Sequence, residues 1–280
     1  MPALLISTQE LATRLVDKDI VICDCRHDLL DLEKGPRAYA EGHIPGAHFI
    51  HLDEDLSGKK TGMNGRHPLP DVDAFAKKMG RIGIDGSKHV IAYDDAGGPY
   101  ASRLWWLLHW LGHDNVSLLD GGINQWIAEG RAIDRVTPSA KPASFIAKQK
   151  NGMTVDANFI LANIKQPVAV VVDARAPERY RGETEPIDPV AGHIPGALNR
   201  LFKNNLNTDG TFKSAAILQQ EFAALFGNKS SGEVINQCGS GVTACHNLFA
   251  MEIAGLSGSK LYPGSWSEWC ADAARPVAKG

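Results

Sequence analysis

Gly42-His43-Ile44-Pro45-Gly46-Ala47 and Gly192-His193-Ile194-Pro195-Gly196-Ala197 are the same six residues, 150 positions apart. Their flanks repeat as well. Asp24-Cys25-Arg26 and Asp173-Ala174-Arg175 each close an apolar run, Ile20-Val21-Ile22-Cys23 in one case and Val168-Ala169-Val170-Val171-Val172 in the other. Val90-Ile91 is matched by Val234-Ile235. Leu118-Leu119-Asp120-Gly121-Gly122 with Trp126 is matched by Leu261-Tyr262-Pro263-Gly264-Ser265 with Trp269. Four landmarks in one order, at offsets falling from 150 to 143, mark a duplicated domain and not a solenoid, whose period is about 20–50 residues.

Each copy reads as α/β. Short apolar runs bounded by turn residues are the pattern of strands buried on both faces of a parallel sheet. Helical patterns lie between them. Ser7-Thr8-Gln9-Glu10 is a capping box that opens a helix. Residues 71–79 and 214–226 are amphipathic and run into Gly80 and Gly227 as expected stops; 102–111 and 244–254 run into Gly112 and Gly255. Two α/β domains follow, each a mainly parallel sheet flanked by helices: residues 1–134, a linker at 135–152 with Pro138, Pro142 and scattered lysines, and residues 153–280. A chain of 280 residues is long enough for two such cores. The first copy carries six extra residues, which fall in a Gly/Lys/Asn-rich loop at 57–67. That loop is the place to look for a segment reaching toward the other copy.

Composition narrows the function. A net charge of −3 with no dense basic stripe argues against a nucleic-acid partner. No apolar run approaches the roughly 18–20 residues of a membrane span, and Met1-Pro2-Ala3-Leu4-Leu5-Ile6 lacks the basic and long apolar regions of a signal peptide. A cytoplasmic protein is expected. Five cysteines, an odd number with no Cys-x-x-Cys pair, and histidines without ligand spacing predict neither a disulfide framework nor a metal site. The thiols need another reason to be there.

One of them has a loop built around it. Val234-Ile235-Asn236-Gln237 reads as a strand and Ala244 as the start of a helix, with Cys238-Gly239-Ser240-Gly241-Val242-Thr243 between. The carboxyl end of a parallel strand, just before a helix, is where open α/β sheets place ligands. Glycines let the backbone curl so that N–H groups point at the sulfur, and the helix dipole adds positive potential, so that a thiolate is stabilised. A structural cysteine in a tight turn is the bland alternative; Gly-Ser-Gly around the thiol favours a reactive one. The first copy reads Asp94-Asp95-Ala96-Gly97-Gly98 at the same place, with Asp94 in the thiol position. The chemistry therefore belongs to the second copy.

The doubled architecture, the twin Asp-x-Arg strands, both Gly-His-Ile-Pro-Gly-Ala segments, the Cys238 loop and the closing Gly264-Ser265-Trp266-Ser267-Glu268-Trp269 together resemble the tandem-domain rhodanese sulfurtransferases, over nearly the whole chain. Within that superfamily, Cys-Gly-Ser-Gly-Val-Thr is similar to the loop of the 3-mercaptopyruvate sulfurtransferases. Thiosulfate-preferring members more often carry basic residues directly after the cysteine. The resemblance implies that Cys238 takes the outer sulfur of a small-molecule donor as a persulfide and passes it to cyanide, a small thiol or thioredoxin, with no metal or organic cofactor. It implies catalytic roles for Cys238, for Ser240, and for His67 of Arg66-His67-Pro68, the last two as a relay. Asp55 is the nearest match to the relay's aspartate. It implies substrate binding by Arg179, with Arg181 as a second candidate, and by Gly239, Gly241, Val242 and Thr243 of the loop. Animal members place a second arginine after a Glu-Pro that here continues Glu185-Pro186-Ile187-Asp188. Arg175 is expected to buttress the loop, and Cys23, Cys25 and Cys245 to pack inertly. The alternatives are thiosulfate:cyanide transfer and a non-catalytic rhodanese-like binding module. Phosphatases of related fold need Cys-x5-Arg, and here the sixth residue after Cys238 is Ala244.

Overall fold

The computed structural model describes residues 3–280. The chain forms two compact units. Unit one comprises the chain up to Gly58, Pro70–Lys150 and Leu206–Phe212; unit two comprises Lys59–Leu69, Asn151–Asn205 and Lys213–Gly280. The long loop of the first repeat is thus a part of unit two.

Unit one contains β1 (Leu5–Ile6), α1 (Thr8–Arg14), β2 (Ile20–Asp24), α2 (Lys34–Glu41), β3 (Ala47–Phe49), α3 (Leu52–Asp55), α4 (Val72–Arg81), β4 (His89–Tyr93), α5 (Pro99–Trp110), β5 (Val116–Leu119) and α6 (Gly122–Ala128). Its sheet runs β1-β5-β4-β2-β3, every pair parallel. Unit two contains α7 (Ala157–Lys165), β6 (Val170–Asp173), α8 (Pro177–Tyr180), β7 (Leu198–Asn199), α9 (Ala215–Phe226), β8 (Val234–Gln237), α10 (Thr243–Ile253), β9 (Lys260–Leu261) and α11 (Ser265–Trp269). Its sheet runs β7-β6-β8-β9, again all parallel. Each unit is an α/β domain, as the alternation of apolar runs and helical patterns implies.

The repeated letters are the clamps of the fold. In unit one Arg26 grips Asp24 through Nε and Nη2 and donates to the Gly42 carbonyl at 2.8 Å; in unit two Arg175 does the same to Asp173 and the Gly192 carbonyl at 2.7 Å. The two motif histidines stack on tyrosines, His43 on Tyr39 at 3.9 Å and His193 on Tyr180 at 3.8 Å, and each Nδ1 lies 2.8 Å from that tyrosine's carbonyl. Both are structural, tying the segment before β3 in unit one and β7 in unit two to the helix ahead of it. The cores correspond in the same way. Ile22, Ile44, Ala47, Ile91 and Trp126 in unit one stand where Val171, Ile194, Ala197, Ile235 and Trp269 stand in unit two.

Helix ends follow capping chemistry. The Ser7 and Asp71 side chains accept the N–H groups of Glu10 and Ala74, and Ser214 caps α9, which stops at Gly227. Gly80, expected to stop a helix, lies inside α4, which continues to Arg81. Its reason is space: a Cβ there would lie 2.5 Å from the Ala143 carbonyl, whose residue hydrogen-bonds back to Gly80. No helix among the described residues is long and apolar enough to cross a membrane.

Candidate active site

β8 ends at Gln237, and the chain then turns through Cys238 to Val242 before α10 begins at Thr243. The turn requires glycine at position 241. Its φ is +79°, and a Cβ would meet the Pro263 carbonyl oxygen at 2.4 Å. That curl directs the N–H groups of Ser240 and Gly241 at Cys238 Sγ, 3.4 and 3.1 Å away. The opposite face of the loop is held by the next segment. Trp266 and Ser267 donate their backbone N–H groups to the carbonyls of Cys238 and Gly239, both at 2.9 Å. The Cys238 N–H itself donates to Ser265 Oγ at 3.1 Å. With the Cys238 and Gly239 carbonyls turned outward and the Ser240 and Gly241 N–H groups inward, the loop is a nest for an anion centred on sulfur.

Ser265 is a loop contact that sequence reading passed over. It is the one non-glycine residue with positive φ among the described residues, 53°, and is completely buried. Its hydroxyl accepts from Cys238 and donates to the Tyr262 carbonyl. A strained backbone held this way fixes the start of the cysteine loop.

Lys59–Leu69, in unit two, brings His67 to the loop. His67 Nδ1 lies 2.7 Å from Ser240 Oγ, and both side chains are buried. The carboxylate of Asp55, in unit one, is engaged elsewhere, by the Lys78 ammonium at 2.9 Å and the His51 N–H at 2.9 Å.

The arginines form a graded network. Arg175 lies over the Trp266 ring at 4.8 Å and pairs with Asp173 and, at 3.3 Å, with Glu185. Burial works against its charge, but Asp173, then Glu185 and Cys238, raise its pKa further above the usual range. Arg179 donates Nε and Nη2 to Glu185 at 3.2 and 2.6 Å, and Nη2 to Asp188 at 3.3 Å. Arg66, absent from the sequence-derived set, pairs with Asp188 through Nη1 and ties its backbone N–H to Ser267 Oγ at 3.0 Å. Arg181 is not brought to the loop. Its guanidinium takes Glu183 in a two-bond surface pair at 2.6 and 2.9 Å, and its side chain is 43% exposed. Val242 and Thr243 sit at the start of α10, where their backbone closes the curl.

Unit one shows the same turn carrying an anion. Asp94, in the position of Cys238, accepts four backbone N–H groups: those of Ala96, Gly98, Tyr100 and Ala101, at 2.8–3.0 Å.

Comparison with known proteins shows the family. The rhodanese-like domain family matches residues 7–129 and 156–272. A probable 3-mercaptopyruvate sulfurtransferase of Pseudomonas aeruginosa is 48% identical over 280 residues, 99% of each chain. Thiosulfate sulfurtransferase of Rattus norvegicus is 35% identical over 241 residues, 83% of this chain and 79% of that one. The solved structure of 3-mercaptopyruvate sulfurtransferase from Leishmania major superposes with a TM-score of 0.85 at 29% identity, covering 98% of this chain and 76% of that one. The chain belongs to the rhodanese family and is a tandem-domain sulfurtransferase.

Proposed function

We propose that the chain moves sulfur from 3-mercaptopyruvate through a persulfide on Cys238 to a thiol or to cyanide. The observation that carries this reading is the pair of N–H groups aimed at Cys238 Sγ from an uncharged loop with Arg179 at its rim. The Cys238 thiolate attacks the donor's sulfur; an S–S bond forms, the donor's C–S bond breaks, and its electron pair leaves on carbon as the enolate of pyruvate. The proton of the donor's thiol is the one that the enolate carbon needs. Ser240 Oγ and His67 Nδ1, hydrogen-bonded to each other, are placed to carry it. The persulfide anion stays in the nest that held the thiolate. A thiolate or cyanide then attacks the outer sulfur and returns Cys238 as thiolate, which is ping-pong covalent catalysis.

Two features favour 3-mercaptopyruvate over thiosulfate. Sulfite leaves thiosulfate without needing a proton, so the buried Ser240–His67 pair has a task only with the carbon leaving group. The most extended similarity cited above, at 48% identity, is to a protein described as acting on that donor. A reducing compartment, such as the cytoplasm, suits a chain whose five cysteines form no disulfide bond. The test is kcat/KM for both donors with one acceptor. A larger value for 3-mercaptopyruvate is expected. A larger value for thiosulfate overturns the donor assignment, and no turnover with either overturns the enzyme reading.

A further inference from the structure

A second recess lies behind the cysteine loop, wholly within unit two. It is a surface cleft of about 640 Å3, inside the roughly 300–1,000 Å3 range of small-molecule sites. One wall is Pro68 and Leu69, which directly follow His67. Another is Pro263 and Gly264, which directly precede Ser265 and the two N–H donors, Trp266 and Ser267, that hold the loop carbonyls. The Pro263 carbonyl also backs on Gly241. None of residues 238–243 lines the cleft. It shares walls with the reaction site and stands apart from the sulfur.

Its charged groups are few and uneven in sign. Lys260 is half-buried, and its ammonium makes no hydrogen bond or ion pair among the described residues. Two carboxylates, Asp156 and Glu268, line the cleft as well, and neither pairs with Lys260. Asp156 spends Oδ1 on the Phe159 N–H at 2.8 Å, as the N-cap of α7. Glu268 is folded back over Gly264, where a Cβ would overlap its Oε2. Burial first, then the Glu268 carboxylate, push the Tyr262 phenol up; Arg275 works against them and Asp156 adds to the rise, so both carboxylates lie toward that phenol. Val155 and Phe159 supply an apolar floor. One cation and two anions, held apart over apolar surface, match a molecule that carries an ammonium, a carboxylate and a short apolar stem. The surplus negative charge turns away anions that lack an amine, the sulfur donors among them.

We propose that this cleft is a second, non-catalytic ligand site for a small apolar α-amino acid, with its ammonium on Asp156 and Glu268, its carboxylate on Lys260 and its side chain on Val155 and Phe159. The occupant touches both the Lys59–Leu69 segment, which carries His67, and the Pro263–Gly264 wall, which leads into the clip on the cysteine loop. Such a ligand favours the formed loop over a loosened one, which is the differential affinity an activator needs. The site is independent of the donor assigned above and of sulfur transfer itself.

The test uses the full chain and L-leucine as probe, with 3-methylbutylamine (leucine without its carboxylate) and 4-methylpentanoate (leucine without its amine) beside it. Affinities are read by saturation-transfer NMR titration, and the place of binding by hydrogen exchange on peptides covering 152–159 and 260–268. Leucine is expected to bind saturably, to protect both peptides, and to bind equally well after Cys238 has been blocked with iodoacetamide; 4-methylpentanoate is expected to bind more weakly than either amine. Lys260→Gln is expected to weaken leucine at least about fivefold, the loss of one charge-assisted contact at a half-buried site, and to leave 3-methylbutylamine unchanged. Lys260→Arg, which keeps the charge, is expected to restore most of the leucine affinity. Saturating leucine is expected to speed alkylation of unblocked Cys238 by iodoacetamide at least about fivefold, the low end of allosteric coupling. No saturable binding overturns the proposal, as does binding lost when Cys238 is blocked, which belongs to the reaction site. Equal weakening of leucine and 3-methylbutylamine in Lys260→Gln overturns the carboxylate contact, and an alkylation rate unchanged or slowed by leucine overturns the activator role.

Discussion

Replacing Ser265 separates strain from hydrogen bonding at the base of the cysteine loop. Its φ of 53° costs a residue with a Cβ about 1–2 kcal/mol. Its hydroxyl satisfies two buried backbone groups, the Cys238 N–H at 3.1 Å and the Tyr262 carbonyl at 2.9 Å. Ser265→Ala keeps the strain and leaves both groups unpaired, at about 1–3 kcal/mol each, so a loss of about 2–4 kcal/mol is expected after partial relaxation. Ser265→Gly suffers the same hydrogen-bond loss but sheds the strain, against about 0.4–1 kcal/mol of added freedom in the unfolded chain. Glycine should therefore be the more stable variant by roughly 0.5–1 kcal/mol, and both should fall below wild type. A chain of two units need not unfold in one step, so the assay is hydrogen exchange in urea on peptides spanning β8 and α10, which reports the unit holding the loop. Persulfide formation is followed in parallel, and both variants should be slower because Cys238 has lost its tether. A Ser265→Ala protein as stable as wild type, or more stable than Ser265→Gly, refutes the assignment of Ser265 as a strained anchor.

Three further perturbations follow from the same structure. Asp94→Ala leaves four N–H groups of the unit-one loop without their acceptor; it should destabilise that unit by about 2–4 kcal/mol, read as lost exchange protection in β4 and α5. Ser240→Ala removes the hydroxyl from His67 Nδ1 and should lower turnover of 3-mercaptopyruvate by about 10²-fold, with a smaller effect on thiosulfate; equal losses with the two donors would remove the proton-carrying role. Burial pushes the Glu185 carboxyl up, but the hydrogen bond and charge of Arg179 and the N–H groups of Asp188 and Ile187 pull it further down, below its ordinary 4.5. A depressed carboxyl stabilises the fold above its unfolded pKa and ceases to do so as pH falls through the folded one. Wild type should therefore lose more stability than Glu185→Gln on acidification below that point, measured by denaturant titration at each pH.

The duplication was legible because the letters that repeat are the ones making contacts. Asp-x-Arg and Gly-His-Ile-Pro-Gly-Ala recur in both units because each serves the same two-ended clamp there, guanidinium to carboxylate and carbonyl, or imidazole to tyrosine. The cysteine loop was legible for a related reason: a glycine at 241 is demanded by φ, and local sequence records local backbone. What depends on long-range placement was not. Arg66 looks like a loop arginine until Lys59–Leu69 is known to fold with unit two. Arg181 stood in sequence as a second candidate beside Arg179, yet two helical steps turn them about 200° apart, so that the first meets Glu185 and the second meets Glu183 at the surface. Gly80 shows the converse error, a glycine read as a helix stop when a crossing segment of linker needed the room.

The central claim is that sulfur rests on Cys238 between donor and acceptor. Intact mass and peptide mapping of the full chain after brief exposure to 3-mercaptopyruvate, without acceptor, test it most directly. One added sulfur atom on the peptide containing Cys238, lost on addition of cyanide and absent from Cys238→Ser, is the predicted result. An unmodified wild-type chain, or sulfur carried on any of the other four cysteines in its place, would contradict it.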